Sequence, residues 1–186
     1  MLTNFKQWPL WRLGHYAKYF DVSKLLEAME GQAAPRRLFF WRLPENLRAM
    51  TLGQRIQLIK AYERGDLFGA TYKTLTKVPP LLVYLLPVGF TFPFVSKVLT
   101  DLKQRAERDK KLVIPLTAEQ EAAGLGKMNH GWFGVIDSIL VRSQGAYTYE
   151  QVENFPDIRV YEMLRIDTER AIAQRALTEI YNKPKR

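Results

Sequence analysis

Val78-Pro-Pro-Leu-Leu-Val-Tyr-Leu-Leu-Pro-Val-Gly-Phe-Thr-Phe-Pro-Phe-Val-Ser-Lys-Val-Leu99 is the most apolar stretch of the chain, and Lys97 is its only charge. Its 22 residues approach the length of a membrane-spanning helix. Pro79, Pro80, Pro87 and Pro93 argue against that reading. Each proline removes a backbone donor and blocks a helical hydrogen bond. Lipid cannot satisfy the carbonyls so freed. The stretch therefore reads as a broken, packed connector. A short helical piece is expected over Leu81–Leu86, and a second one starting near Pro93.

The connector divides the chain into three parts: a basic, Trp-rich helical half at 1–77, the connector with a charged helix at 78–116, and a helical C-terminal part at 117–186, which together could form one continuous domain. Lys and Arg exceed Asp and Glu by 13 to 6 in the first part and by 6 to 3 in the second, and fall short by 9 to 10 in the third. The net charge of +9 thus belongs to the first two parts. Such a field favours nucleic acid, an anionic membrane surface or an acidic protein, or else simply keeps the surface soluble. There is no cysteine, which excludes a disulfide framework, a thiolate metal site and a cysteine nucleophile. The opening MLTNFKQWPLWRL lacks the apolar core and cleavage site of a signal peptide.

Most of the remainder patterns as helix. Pro9 suits a first helical turn, with Trp11, Tyr16, Ala17, Tyr19 and Phe20 behind it. Asp21 or Ser23 could cap a second helix through Leu25, Leu26 and Met29, closed by Gly31. After the Gly31–Pro35 connector, Arg36–Pro44 is short, aromatic and bounded by prolines, which predicts a strand or extended arm. Thr51–Gln54 has the form of a capping box, in which Thr accepts a backbone N–H and Gln reaches back. It opens a helix with Leu52, Ile56, Ile59 and Tyr62 on one face, ended by Gly65. Asp66 can cap the next helix, through Leu67, Phe68, Tyr72 and Leu75. Lys103–Lys111 mixes charges at helical spacing, and the expectation there is a solvated surface.

In the last part Thr117–Gln120 and Thr148–Gln151 are two further capping boxes. Between them, His130–Ser143 places Trp132, Phe133, Ile136, Ile139 and Leu140 on one helical face, and Gln144–Ala146 forms a turn. The final helix is predicted from about Asn154–Asp157 to Tyr181, with Val160, Leu164, Ala171, Ala176 and Ile180 as its apolar stripe and a frayed tail behind. The fold class is mainly α: an irregular multi-helix protein with a proline-broken connector and at most a small strand element.

No arrangement of residues indicates catalysis, a metal or a cofactor. His15 and His130 sit far apart and outside any ligand pattern. Gly124-Leu-Gly126-Lys127 is too short to cradle phosphate. Ser138 falls on a predicted helix, facing solvent. Glu119/Glu121 and Glu150/Glu153 occupy helix first turns, where the dipole favours them. Two sets of residues remain as candidate surfaces. Trp8, Trp11, Arg12, Arg36, Arg37, Trp41 and Arg42 interleave aromatic faces with guanidinium groups. That composition suits a protein partner, a nucleic-acid backbone or a headgroup layer, or a core with arginines reaching outward. Leu81, Leu82, Leu85, Leu86, Phe90, Phe92 and Phe94 supply apolar packing, either within the fold or against a neighbouring subunit.

The order LTAEQEAAGLGKM (Leu116–Met128), then HGWFGVIDSILVRSQGAYTYEQVENFPDIRVYEMLRIDTERAIAQRALTEIY (His130–Tyr181), resembles small helical proteins of tailed bacteriophages, tail assembly chaperone-like ones above all. LPENLRAMTLGQRIQL (Leu43–Leu58) is similar to a segment of the same kind of protein. The resemblance implies a virion or host-cytoplasm protein that binds other phage structural proteins without catalysis or cofactor. Such chaperones are often acidic, whereas this chain is basic and carries a Trp-rich segment and the broken connector besides. Those departures suit a component retained in the virion, in contact with DNA or a neighbouring ring. The expected function is therefore a non-enzymatic structural or assembly protein acting through protein–protein contacts, with homo-oligomers and electrostatic DNA contact as further partners. The alternatives are a nucleic-acid-binding protein using the basic half and a peripheral membrane protein.

Overall fold

The proline-broken stretch folds as two helices, so the chain continues through it without a span. In the computed structural model, residues 7–12, 33–38, 41–114, 116–124 and 131–182 are described. The helices expected between Tyr16 and Met29, both histidines and the terminal tail lie outside them. The protein is mainly α, with a two-stranded sheet. In order, β1 (Arg37–Leu38) and β2 (Trp41–Arg42) form an antiparallel hairpin, followed by a 3-10 turn at Leu47–Ala49. Helices α1 (Leu52–Glu63), α2 (Phe68–Thr76), α3 (Pro80–Leu85) and α4 (Val88–Lys110) come next. Then follow α5 (Ala118–Ala122), α6 (Gly131–Arg142), α7 (Tyr149–Glu153) and α8 (Asp157–Asn182). Among the described residues no helix is long and apolar enough to cross a membrane.

Two units share these elements. Unit 1 comprises residues 1–50 and 54–104; unit 2 comprises 51–53 and 105–186. In unit 1 a single apolar cluster joins Leu38 and Leu43 of the hairpin region, Leu58 of α1, Tyr72 of α2, Val83 of α3 and Phe92, Phe94, Val95 and Val98 of α4. Tyr72 and Phe94 meet at 5.2 Å between ring centroids, and Phe68 meets Phe92 at 6.4 Å. The buried Tyr72 hydroxyl donates to the Thr91 carbonyl at 3.0 Å. Burial pushes its phenol well above the usual range, and it also raises that of Tyr62, whose hydroxyl pairs with that of Thr71.

The break in the apolar stretch falls at Leu86–Pro87. The second helix begins at Val88, not near Pro93, which lies inside it. The Pro87 carbonyl accepts from the Phe90 and Thr91 amides, and the Thr91 hydroxyl bonds back to it at 3.3 Å. The first turn is thus closed before Pro93 withholds its own donor. Gly65 closes α1 at φ +84°, a left-handed conformation that glycine adopts without steric cost. Asp66 Oδ1 accepts from the Ala70 amide at 3.3 Å, as expected of a residue opening α2, and also from the Tyr84 hydroxyl at 3.0 Å.

Unit 2 has a smaller buried set: Leu52, Ile136, Ile139, Val152 and Val160. Both of its capping boxes form. Thr117 and Gln120 exchange two bonds at 3.1 and 3.3 Å, and Thr148 and Gln151 exchange two at 2.8 and 3.3 Å. The Leu52 amide donates to the Phe155 carbonyl, and a Cβ on Gly53 would lie 3.2 Å from the Glu153 carbonyl oxygen. Only glycine allows that approach without a shift of its neighbour.

Two apolar faces expected in this unit are only partly covered. Phe133 points to solvent, 64% exposed, while Ile136 and Ile139 are buried. In α8 the stripe is covered at Val160 and half-covered at Leu164 and Ala171, but Ala176 and Ile180 are exposed, although Arg175 beside them bonds Gln120 of α5 at 3.2 Å.

Candidate functional site

The two candidate surfaces both fall in unit 1, and the fold joins part of one to part of the other. Pro9 and Pro87 form an antiparallel bridge; the Leu10 amide donates to the Leu86 carbonyl at 3.0 Å and the Val88 amide to the Trp8 carbonyl at 2.8 Å. Proline's missing donor is harmless at the bridge itself, because the flanking residues carry the bonds. The pairing holds the Trp8–Arg12 turn against the α3–α4 junction. Leu10 is buried in the core and Trp8 packs on it half-buried, with the Arg12 guanidinium 5.8 Å from the Trp8 ring centre. Trp11 faces outward, 56% exposed. Trp11 follows Leu10 in the chain and Leu85 precedes Leu86, so each is the sequence neighbour of a residue in that bond.

Helix α3 has the sequence PLLVYL and carries no charge. Only Val83 is fully buried; Leu81 is 74% and Leu85 58% exposed, and Leu82 and, on α4, Phe90 are exposed as well. Leu86 is half-buried. Phe92 and Phe94 are core residues, 4% and 1% exposed, and contribute packing within the unit. Full burial of a leucine is worth about 1.5–3 kcal/mol. Single exposed leucines are ordinary. Three on six residues, next to an outward tryptophan, form a contiguous apolar face of the kind that marks interaction sites.

The remaining members of the first set lie on the hairpin. Its register pairs Arg37 with Arg42 and Leu38 with Trp41. Leu38 is fully buried and Trp41 packs on the core, while Arg37 and Arg42 are exposed. Arg36 is also exposed, with Glu45 at a loose 3.9 Å. The expected strand is therefore present, and its alternation sorts aromatic from cationic residues onto opposite faces.

Unit 2 holds a constellation that the sequence did not reveal. The Lys103–Lys111 run was expected to be solvated, but Arg105 is 7% exposed and Asp157 1%. Arg105 Nη1 donates to Asp157 Oδ2 at 2.6 Å, and Arg108 Nη2 donates to the same oxygen at 3.0 Å. Arg108 also bonds Asp109 at 3.0 Å and lies 4.0 Å from the Tyr161 ring centre. Asp157 stands in the first turn of α8, where the helix dipole adds to both guanidinium charges. Two arginines against two carboxylates balance in charge, so the cluster ties the end of α4 to the start of α8. A cleft of about 780 Å³ opens next to the cluster, with Asp109 in its lining beside Leu112, Val113, Trp132, Val135, Leu164 and Ala171. Arg142 pairs with Asp167 in its lining, and the Ser138 hydroxyl is engaged by the Val135 carbonyl at 2.8 Å. Among the described residues no group of three or more His, Asp or Glu is placed to hold a metal ion.

No family model, curated protein or solved structure matches the chain.

Proposed function

We propose that the chain is a non-enzymatic structural or assembly protein that works through protein–protein contact, in the virion or tail assembly of a tailed bacteriophage or in the host cytoplasm where that assembly is built. The observation that carries this reading is the charge-free face of α3, with Leu81, Leu82 and Leu85 exposed on a segment whose end is bridged to the turn that carries Trp11 and Arg12. Six residues are too few to hold a helix by themselves. The α3 helix persists because Val83 anchors it to the core, yet it presents its leucines to water. Tryptophan and arginine at the edge of an apolar face form the usual composition of a binding hot spot. The phage setting rests on the resemblance of Leu43–Leu58 and of the capped helices after Leu116, and it names the partner class: other structural proteins of the same particle.

The chain has no cysteine, so an introduced one is unique. Leu85→Cys carrying a short photo-crosslinker, placed in the native assembly, is expected to join a neighbouring chain. Lys60→Cys on α1 serves as the control at an exposed, charged position. Equal cross-linking from both sites, or none from position 85, would refute the reading.

A further inference from the structure

The hairpin carries a feature that protein contact through α3 does not use. In an antiparallel pair, directly opposed side chains have Cβ atoms about 5 Å apart, and like charges there destabilise the sheet. Arg37 and Arg42 are such a pair. Both are exposed, and among the described residues neither has a carboxylate within 4.0 Å. Glu45, the nearest acidic residue in sequence, is instead set loosely against Arg36. The 1–77 part has 13 basic against 6 acidic residues, so the surrounding field adds to the local excess. Two guanidinium groups rooted on directly opposed residues can both reach one oxyanion, which accepts their N–H bonds and removes the repulsion.

The geometry points to the Arg37–Arg42 pair as a phosphate clamp for a nucleic-acid backbone, read without regard to base sequence. Charge complementarity favours a polyanion as the partner: the two arginines are opposed on one face, within the most basic part of the chain. Leu38 is fully buried and Trp41 is packed on the core, so the face that Arg37 and Arg42 share is distinct from the packed one. The exposed leucines lie on α3, which bears no charge. Contacts of this kind position a backbone and carry no sequence information.

The test uses the full chain and a short fluorescein-labelled DNA duplex of arbitrary sequence, titrated at several salt concentrations. Arg37→Ala and Arg42→Ala are each expected to weaken binding about tenfold at low salt, the size of one charge-assisted hydrogen bond. The double variant should shrink the slope of log affinity against log salt by about 1.8, two contacts at about 0.9 each. Arg170→Ala, an exposed site in unit 2, should leave both quantities unchanged. Thermal unfolding supplies a separate readout: removing either arginine relieves the pair, so the midpoint should hold or rise. No DNA binding, binding indifferent to both substitutions, or a lowered midpoint overturns the clamp. So does binding to anionic vesicles, lost in the double variant, by a protein that ignores DNA. A chain that fails this test yet cross-links normally from position 85 sinks the clamp alone and leaves the contact reading standing.

Discussion

Unit 1 and unit 2 are held by different forces. Unit 1 buries aromatic and branched side chains from the hairpin and four helices in one cluster, and among its described residues Arg55 is the one charged side chain that is buried. Unit 2 buries few large side chains among the described residues and relies on directional and close contacts instead. These are two capping boxes, a glycine-dependent close approach at Gly53, and the Arg105–Asp157–Arg108 cluster. Area burial is non-directional and tolerates variation in the surface around it. A buried ion cluster is directional and fails when one partner leaves, because the others remain dehydrated and unpaired. This contrast assigns separate tasks: unit 1 can present a variable surface on a solid base, and unit 2 depends on particular residues for its own order.

The largest expected effects test that contrast directly. Phe94→Ala should destabilise unit 1 by about 3–5 kcal/mol through lost burial and a residual cavity. Asp157→Ala should destabilise unit 2 by a comparable amount, about 3–5 kcal/mol, by taking the Asp157 carboxylate from the buried Arg105 guanidinium, while Arg108 keeps Asp109. Hydrogen exchange read by peptide separates them. Phe94→Ala should lose protection first in peptides from α1 to the middle of α4, and Asp157→Ala in those from Arg105 onward. Uniform loss in either variant would show that the two units unfold as one and would remove the distinction.

A smaller effect concerns pH. The Tyr62 and Tyr72 phenols titrate above their ordinary value in the folded chain because burial disfavours the phenolate. Unfolding therefore releases protons on the alkaline side. The stability that these groups contribute is fully present below their unfolded pKa of about 10 and is lost as pH rises from there toward the folded values. Tyr72→Phe should flatten this loss and cost about 1 kcal/mol at neutral pH for the bond to Thr91. Denaturation midpoints measured across the alkaline range provide the check; an unchanged slope in the variant would assign the pH dependence to other groups.

Local features of this fold were legible in the sequence. The boxes at Thr117 and Thr148 span four residues each, and nothing distant is needed to form them. The turn at Gln144–Ala146 was legible from Gly145, which takes a positive φ without steric cost, and the start of α8 from Asp157 in its first turn, whereas the positive φ of Gln144 was not. Prolines showed that Val78–Leu99 must break, but not where: Pro87 starts a helix and Pro93 is tolerated in one, a choice decided by which carbonyls find donors. Periodicity identified the apolar side of α6 and α8 but not how far a partner element covers it, so Phe133, Ala176 and Ile180 were expected inside and lie outside.

Long-range pairings were not legible. Arg105 and Asp157 are 52 residues apart, and each has an adequate local explanation as a helix-surface charge and a helix-start acid. The same holds for the candidate surfaces. Trp8–Arg12 and Leu81–Phe90 were separate lists until the Pro9–Pro87 bridge joined them, while the hairpin arginines required a register to become a pair.

The α3 face is the central claim, and the double substitution Leu81→Asp, Leu85→Asp tests it most directly. Both side chains are mostly exposed, so the isolated chain should fold with an unchanged unfolding midpoint. Sedimentation of the native assembly, reconstituted with the variant in place of the wild-type chain, is the measurement. The account predicts that the variant stays outside the assembled particle while folding normally; incorporation at the wild-type level would contradict it.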